Sequence, residues 1–217
     1  MESPILAPVP AHSLVSATPR LRLTPDEFLD WEARQDEKHE HYCGEVFAMP
    51  HGNVSHAQII GNCLAALRTA THSRGCKVYG GSLRVRVEAA DLFTYPDLSV
   101  VCGEARFADA RRTSLLNPLV LVEVLSPSTE AYDRTTKFSF YAQLPSLAAY
   151  VLVGQDSPAV DVYSRDAGGW RVVRTTGGTA VIPTLGAALN LAEVYDGVVF
   201  PGPDEQVRPT PGRPGSA

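Results

Sequence analysis

An acid set inside an apolar strand is a group that chemistry can use, and this sequence holds two. In Leu119-Val-Leu-Val-Glu-Val-Leu125 every residue except Glu123 is Val or Leu, the pattern of a strand buried on both faces. An ionised carboxylate there is costly unless a cation, a metal or a set of donors pairs with it. Upstream, Tyr95-Pro-Asp-Leu-Ser-Val-Val101 places Asp97 at the head of another apolar run. Strand side chains alternate, so Asp97 shares a face with Ser99, and Glu123 with Leu121 and Leu125. Were the two strands neighbours in a suitable register, both carboxylates would reach one ion. A hard divalent cation wants oxygen ligands and needs few from the protein, since water fills the rest. Such an ion stabilises charge on a phosphodiester and lowers the pKa of a bound water. The chemistry indicated is metal-dependent hydrolysis.

A helix after the Glu123 strand carries Asp133, Lys137 and Tyr141, four residues apart and therefore on one face. Lys137 could orient the attacking water and neutralise developing negative charge. Asp133 reads as a helix N-cap. Ser126-Pro-Ser-Thr129 makes the strand-to-helix turn, and the hydroxyls of Ser126 and Ser128 could hold backbone or a substrate phosphate. His56, near the start of another helix, could stand at the mouth of the site, and Glu45 could add a third acid. Arg84, Arg86, Arg111, Arg112 and Arg134 are candidate phosphate contacts. His39 and His41 have strand spacing but lack a third ligand at a recognisable interval, so both read as solvent-facing.

The elements that must position these groups follow from pattern. Thr24 caps a helix that opens with Pro25 and acids in its first turn. Glu40 to Met49 reads as a strand, turning near Cys43-Gly44. Asn53 to about Ser73 is a helix with an apolar stripe of Ile59, Ile60, Cys63, Leu64 and Leu67. Lys77 to Val87 reads as a half-exposed strand. The Asp97 and Glu123 strands follow, then a helix from Asp133 to Leu144 and a strand from Ala149 to Val153. Ala159–Tyr163 and Trp170–Thr175 form a hairpin turning at Asp166-Ala-Gly-Gly169. The central order of helix, three strands, helix and strand predicts a mixed α/β (α+β) sheet with helices on its faces. Residues 1–21 and the Pro/Gly-rich 201–217 read as flexible tails around one domain, 22–200.

The chain has 217 residues, 44% hydrophobic and 20% charged, enough for one full core. No apolar run approaches the ~20 residues a membrane span requires. The amino terminus lacks the basic and apolar regions of a secretory signal. Four cysteines without paired spacing read as reduced thiols in a cytoplasmic protein. A net charge of −5 argues against a protein that coats nucleic acid, but leaves room for a local site with a divalent cation.

The ordered set Thr24-Pro-Asp-Glu-Phe-Leu, Gly44-Glu-Val-Phe-Ala-Met-Pro50, Ser55-His56, Tyr95-Pro-Asp-Leu-Ser-Val-Val, Val122-Glu-Val-Leu-Ser-Pro-Ser-Thr129 and Tyr132-Asp-Arg-Thr-Thr-Lys-Phe-Ser-Phe-Tyr141 resembles the Uma-type restriction endonuclease family, from about Leu23 to Leu191. The resemblance implies the PD-(D/E)XK nuclease fold with its αβββαβ core, and Mg2+-dependent cleavage of nucleic acid, DNA first, with Mn2+ as a substitute ion. It makes Asp97 the aspartate of the Pro-Asp motif and Glu123 the acid of the next strand. The superfamily's lysine position falls on Leu125, so Lys137 stands in as a migrated lysine. Cys43 replaces the aspartate common before Gly-Glu, a change that concerns a turn. A homodimer would suit cutting of two strands. The alternative reading is a catalytically silent binding module that retains the fold.

Overall fold

The computed structural model describes residues 21–200. The segments read as tails, 1–21 and 201–217, lie outside the described residues apart from Leu21. Thr24 caps α1 (Pro25–Glu32) through a capping box: its main-chain N–H donates to Glu27 Oε2 at 2.8 Å, and its hydroxyl accepts from Glu27 N–H. A hairpin follows, β1 (His39–Tyr42) and β2 (Glu45–Ala48). Its turn residues Cys43 and Gly44 both have positive φ, 48° and 85°, the requirement of a two-residue hairpin turn. Cys43 thus occupies a turn position that Asp or Asn fills with less strain.

Asn53 caps α2 (Val54–Thr71), its side chain accepting from His56 N–H. The expected single strand from Lys77 to Val87 is two: β3 (Cys76–Gly80) and β4 (Arg84–Val87). They separate at Gly80-Gly81-Ser82 and enter different sheets. Next come β5 (Leu92–Thr94), β6 (Leu98–Cys102), β7 (Ser114–Leu115) and β8 (Val120–Leu125). The following helix starts at Glu130, earlier than expected, and runs as α3 (Glu130–Tyr132), a π-helical segment (Asp133–Lys137) and α4 (Phe138–Tyr141). Asp133 is therefore inside the helix and not its cap. Beyond it lie β9 (Ala149–Gly154), the hairpin β10 (Val160–Asp166) and β11 (Gly169–Thr175), β12 (Thr179–Ile182), β13 (Ala187–Asn190) and α5 (Leu191–Val194). The last three had no clear sequence signal.

Six strands form the main sheet in the order β11-β10-β9-β8-β6-β3. Its β8–β9 pair is parallel, and the helix between them makes the crossover such a pair requires. The anticipated αβββαβ order is carried by α2, β3, β6, β8, the α3–α4 helix and β9. The strands β4, β5 and β7 are diverted into a second sheet, ordered β2-β1-β5-β4-β7. One face of the main sheet packs Val120, Val122 and Val124 under Ile59, Cys63 and Leu67 of α2, joined by the β12–β13 hairpin. The other face packs Leu121, Leu125 and Leu152 against Phe140, Tyr141 and Tyr150. Every residue of β8 is buried, so the apolar run around Glu123 is a central strand.

The four cysteines are not all reduced thiols. Cys76 and Cys102 lie opposite each other on β3 and β6 and are joined in a disulfide across 26 residues of chain. Register produces this pairing, and sequence spacing does not reveal it. Cys43 is a free exposed thiol and Cys63 a free buried one. Thiol titration of the denatured, unreduced chain is therefore expected to count two groups, rising to four after reduction; four before reduction would show that the bridge does not form.

Candidate active site

The β6–β8 ladder pairs Leu98 with Val122 and Ser99 with Leu121. One further step in the same register sets Asp97 opposite Glu123, and residues directly opposite in an antiparallel pair point to the same face. The two acids interlock at the end of the ladder. Asp97 N–H donates to Glu123 Oε2 at 3.3 Å, and Val124 N–H donates to Asp97 Oδ2 at 2.7 Å. Pro96 at the bend between β5 and β6 lacks an N–H, so the strand can begin there with no orphaned donor.

Glu123 is 4% exposed, and its Oε1 meets Lys137 Nζ at 2.9 Å and accepts the Tyr141 hydroxyl at 2.9 Å. Lys137, equally buried, also has Asp133 Oδ1 at 3.6 Å and Glu40 Oε1 at 3.8 Å. The π-helical turn matters here. Its wider winding turns Tyr132, Asp133 and Lys137 toward the same cleft, and such turns recur at functional sites. Glu40 is fixed in place by hydroxyl donors: Thr94 on one oxygen and Tyr132 at 3.2 Å on the other. The Tyr150 hydroxyl donates to the main-chain carbonyl of Asp133 at 3.1 Å, holding the turn against β9.

Glu40, Asp97, Glu123, Tyr132, Asp133 and Lys137 line a cleft of about 90 Å³ with His56, Tyr95, Ser126, Thr129 and the loop Met49–Gly52. Glu40, Glu123 and Asp133 share one ammonium, and Asp97 lines the same cleft, so acids outnumber the lysine. Burial, chiefly, pushes the Glu123 carboxyl up to about 8; Lys137 opposes that rise, and Asp97 and Asp133 add to it. Burial also raises Asp133. For Lys137 burial works to lower the pKa, but Glu123, Tyr141, Asp133 and Glu40 outweigh it and hold the ammonium charged well above its ordinary range.

The geometry brings together most of the residues expected at the site. Asp97, Glu123, Lys137, Tyr141, His56 and Ser126 converge, although Tyr141 is wholly buried behind Glu123. Ser126 bonds Ser128 and Thr129 within the turn, and Ser128 stays outside the cleft lining. Glu45 is not brought there: it sits at the turn end of the hairpin, ion-paired with Arg22. Glu40, in β1 at the end of the hairpin away from the turn, lines the cleft where Glu45 was expected. Arg134 is turned away, bound to Glu130 and Asp161. The other arginines are struts: Arg84 to Tyr95 and Thr113, Arg86 to Asp91, Arg111 to Asp30, and Arg112 over the Phe107 ring. The two histidines of β1 do not face solvent. His39 meets Glu32 at 3.0 Å, while His41 is buried among Phe28 and Phe93 with its Nε2 at the Leu23 carbonyl.

Among the described residues no three His, Cys, Asp or Glu side chains form a ready metal cage. A magnesium ion does not need one, because it commonly takes one or two carboxylates and keeps several waters. Hard oxygen donors, a cleft with room for water and more acids than the one lysine can pair all fit such an ion.

Comparison with known proteins identifies the family and the fold. The family model described as "Uma2: Putative restriction endonuclease" matches residues 25–192. The uncharacterized protein slr1290 of Synechocystis is 34% identical over 193 residues, 88% of this chain and 99% of that protein. The uncharacterized protein sll1609 of the same organism is 29% identical over 152 residues, covering 70% and 85%. A crystal structure from Anabaena variabilis, titled as "a putative nuclease belonging to DUF820", superposes with a TM-score of 0.65 over 82% of this chain and 99% of that one. At 19% identity that likeness establishes the fold. No helix among the described residues is long and apolar enough to cross a membrane.

The charge balance has a consequence for the metal-free protein. A carboxyl raised from its ordinary 4.5 to about 8 binds its proton more tightly in the folded state, so its stabilising contribution is complete below about pH 4.5 and is lost as pH rises through 8. Urea midpoints measured in EDTA should decline across that window, and Glu123→Gln should flatten the decline. An unchanged profile in the variant would mean that Glu123 titrates normally.

Proposed function

The chain belongs to the Uma2 family, and from that premise we propose that it is a metal-dependent endonuclease, cleaving phosphodiester bonds of nucleic acid with DNA as the first candidate. The observation that carries this reading is the meeting of Asp97 and Glu123 at one ladder step, with the Lys137 ammonium 2.9 Å from Glu123. Asp97 and Glu123 would hold Mg2+, or Mn2+ in its place. When bound, the ion would supply an acidified water and offset charge on the phosphate.

The chain's own groups do the rest. Lys137 has its ammonium fixed by Glu123, Asp133 and Glu40, so it reaches the cleft already oriented and without a side-chain ordering cost during the reaction. Its charge can steady a water beside the phosphorus and the negative charge that grows on the phosphate oxygens. Tyr141 and the Asp97 N–H hold the Glu123 carboxylate from two sides, leaving it little freedom to rotate. Hydrolysis joins the water oxygen to phosphorus, breaks the bond to the leaving ester oxygen and returns a proton to that oxygen. Ser126 and Thr129, on the cleft wall, would meet substrate oxygens.

Purified protein incubated with plasmid and single-stranded DNA in Mg2+ or Mn2+ should cleave. Asp97→Asn, Glu123→Gln and Lys137→Met should each lower the rate by about 10²-fold or more. Full cleavage by a folded Glu123→Gln variant would remove that residue from the reaction, and no cleavage of any nucleic acid by the parent chain would overturn the nuclease reading.

A further inference from the structure

His56 has no role in the chemistry above, yet its position is built with care. Its Nε2 lies 3.1 Å from the Val124 carbonyl and 3.4 Å from Asp97 Oδ2. A carbonyl only accepts, so Nε2 carries a hydrogen and the tautomer is set by Val124. The same Asp97 Oδ2 accepts from Val124 N–H at 2.7 Å. One carboxylate oxygen is thus held by the strand and flanked by the imidazole. Among the described residues no hydrogen bond or ion pair falls on the other oxygen, Oδ1, and Asp97 lines the cleft.

Room for the ring comes from one residue. A Cβ added at Gly52 would lie 2.4 Å from His56 Nδ1 and 2.9 Å from its Cγ. The backbone of Gly52 is not in the left-handed region, so an alanine suits the chain there and conflicts with the imidazole alone. The α2 N-cap adds a further constraint, since Asn53 Oδ1 accepts from His56 N–H at 2.9 Å and fixes where the side chain starts.

We propose that His56 is a positioning residue for the cation site, pinning Asp97 through Oδ2 so that Oδ1 faces the cleft, and that Gly52 is glycine to admit its ring. The inference rests on the metal reading of the previous subsection. Partners that orient a ligating group commonly change metal affinity 10–100-fold when removed.

The test is Mn2+ affinity of the full chain, by calorimetry or by paramagnetic resonance of the free ion, with a melting curve for each variant. His56→Phe keeps the bulk and removes the donor; it should weaken Mn2+ binding by about tenfold or more. Gly52→Ala keeps the donor but displaces the ring, and should weaken binding in the same direction. The double variant Gly52→Ala/His56→Ala should bind no more weakly than His56→Ala, because the conflict at position 52 has gone. If His56 were only a structural link between α2 and β8, the melting temperature would fall and the affinity would hold, which overturns the proposal. Parent affinity retained by Gly52→Ala overturns the part assigned to glycine. A parent chain that binds no Mn2+ overturns the metal reading itself, and this inference with it.

Discussion

One buried ammonium shared by three acids, with a fourth in the same cleft, is the constraint on which the rest of this structure turns. Lys137 and Glu123 are each about 95% buried and 2.9 Å apart. Removing either alone would take from the other its nearest ionic partner, a costly change in a dry interior. Asp133 and Glu40 share that same ammonium, and among the described residues lining the cleft the basic group beside Asp97 is the His56 imidazole. A core could be more stable with apolar groups in these places. Retaining them makes sense where charge is needed for work, and a divalent ion is the simplest complement to the excess.

The fold supplies the convergence by three local devices. An antiparallel register sets Asp97 opposite Glu123. A parallel crossover returns the chain over the sheet face that Glu123 occupies, so the crossover helix must pass above it. A π-helical turn at the start of that helix then rotates Asp133 and Lys137 inward. In uniform α-helical winding Tyr132 and Lys137, five residues apart, would diverge around the helix. Wider winding brings them nearer to alignment, and Tyr132 reaches Glu40 on β1. The π segment therefore joins the second sheet to the first through the site itself.

The parts that sequence could reveal are those encoded locally. Glu123 was legible because six apolar neighbours make an acid conspicuous, and α1 because its capping box is written in Thr24 and Glu27. The split between β3 and β4 was hidden because Leu83, Val85 and Val87 alternate well enough to extend a single strand, and only the two glycines before them hint at a break. Glu40 and Glu45 illustrate the harder case. Both lie on the same hairpin, and choosing between them requires knowing which end of the hairpin meets the cleft. The turn at Cys43-Gly44 makes Glu45 the residue remote from it. The signal for Glu40 was present in the alternation Glu40, Tyr42, which puts an acid beside an aromatic on one face. Disulfide pairing was illegible for the same reason as the choice of acid: Cys76 and Cys102 meet only through register.

The placement of the arginines bears on how a polyanion could be held. Arg84, Arg86, Arg111 and Arg134 all carry partners within the chain, and three of them are bound to carboxylates. Among the described residues the lysines lining the cleft and the groove beside it are Lys137 and Lys38, with His51 and His56 as the other basic groups, and Lys38 donates to the Gly81 carbonyl while lying over the Tyr95 ring. Asp36 and Glu37 line that groove as well. On the metal reading, phosphate attraction then cannot come from a basic wall. Without the divalent ion the excess carboxylates would repel a phosphodiester over the few ångströms where low dielectric makes charge count most. With it, the same acids become the holder of the charge that attracts. Substrate binding and bond cleavage would then depend on a single occupancy, and a chain of net charge −5 would need no positive surface of its own to act on nucleic acid.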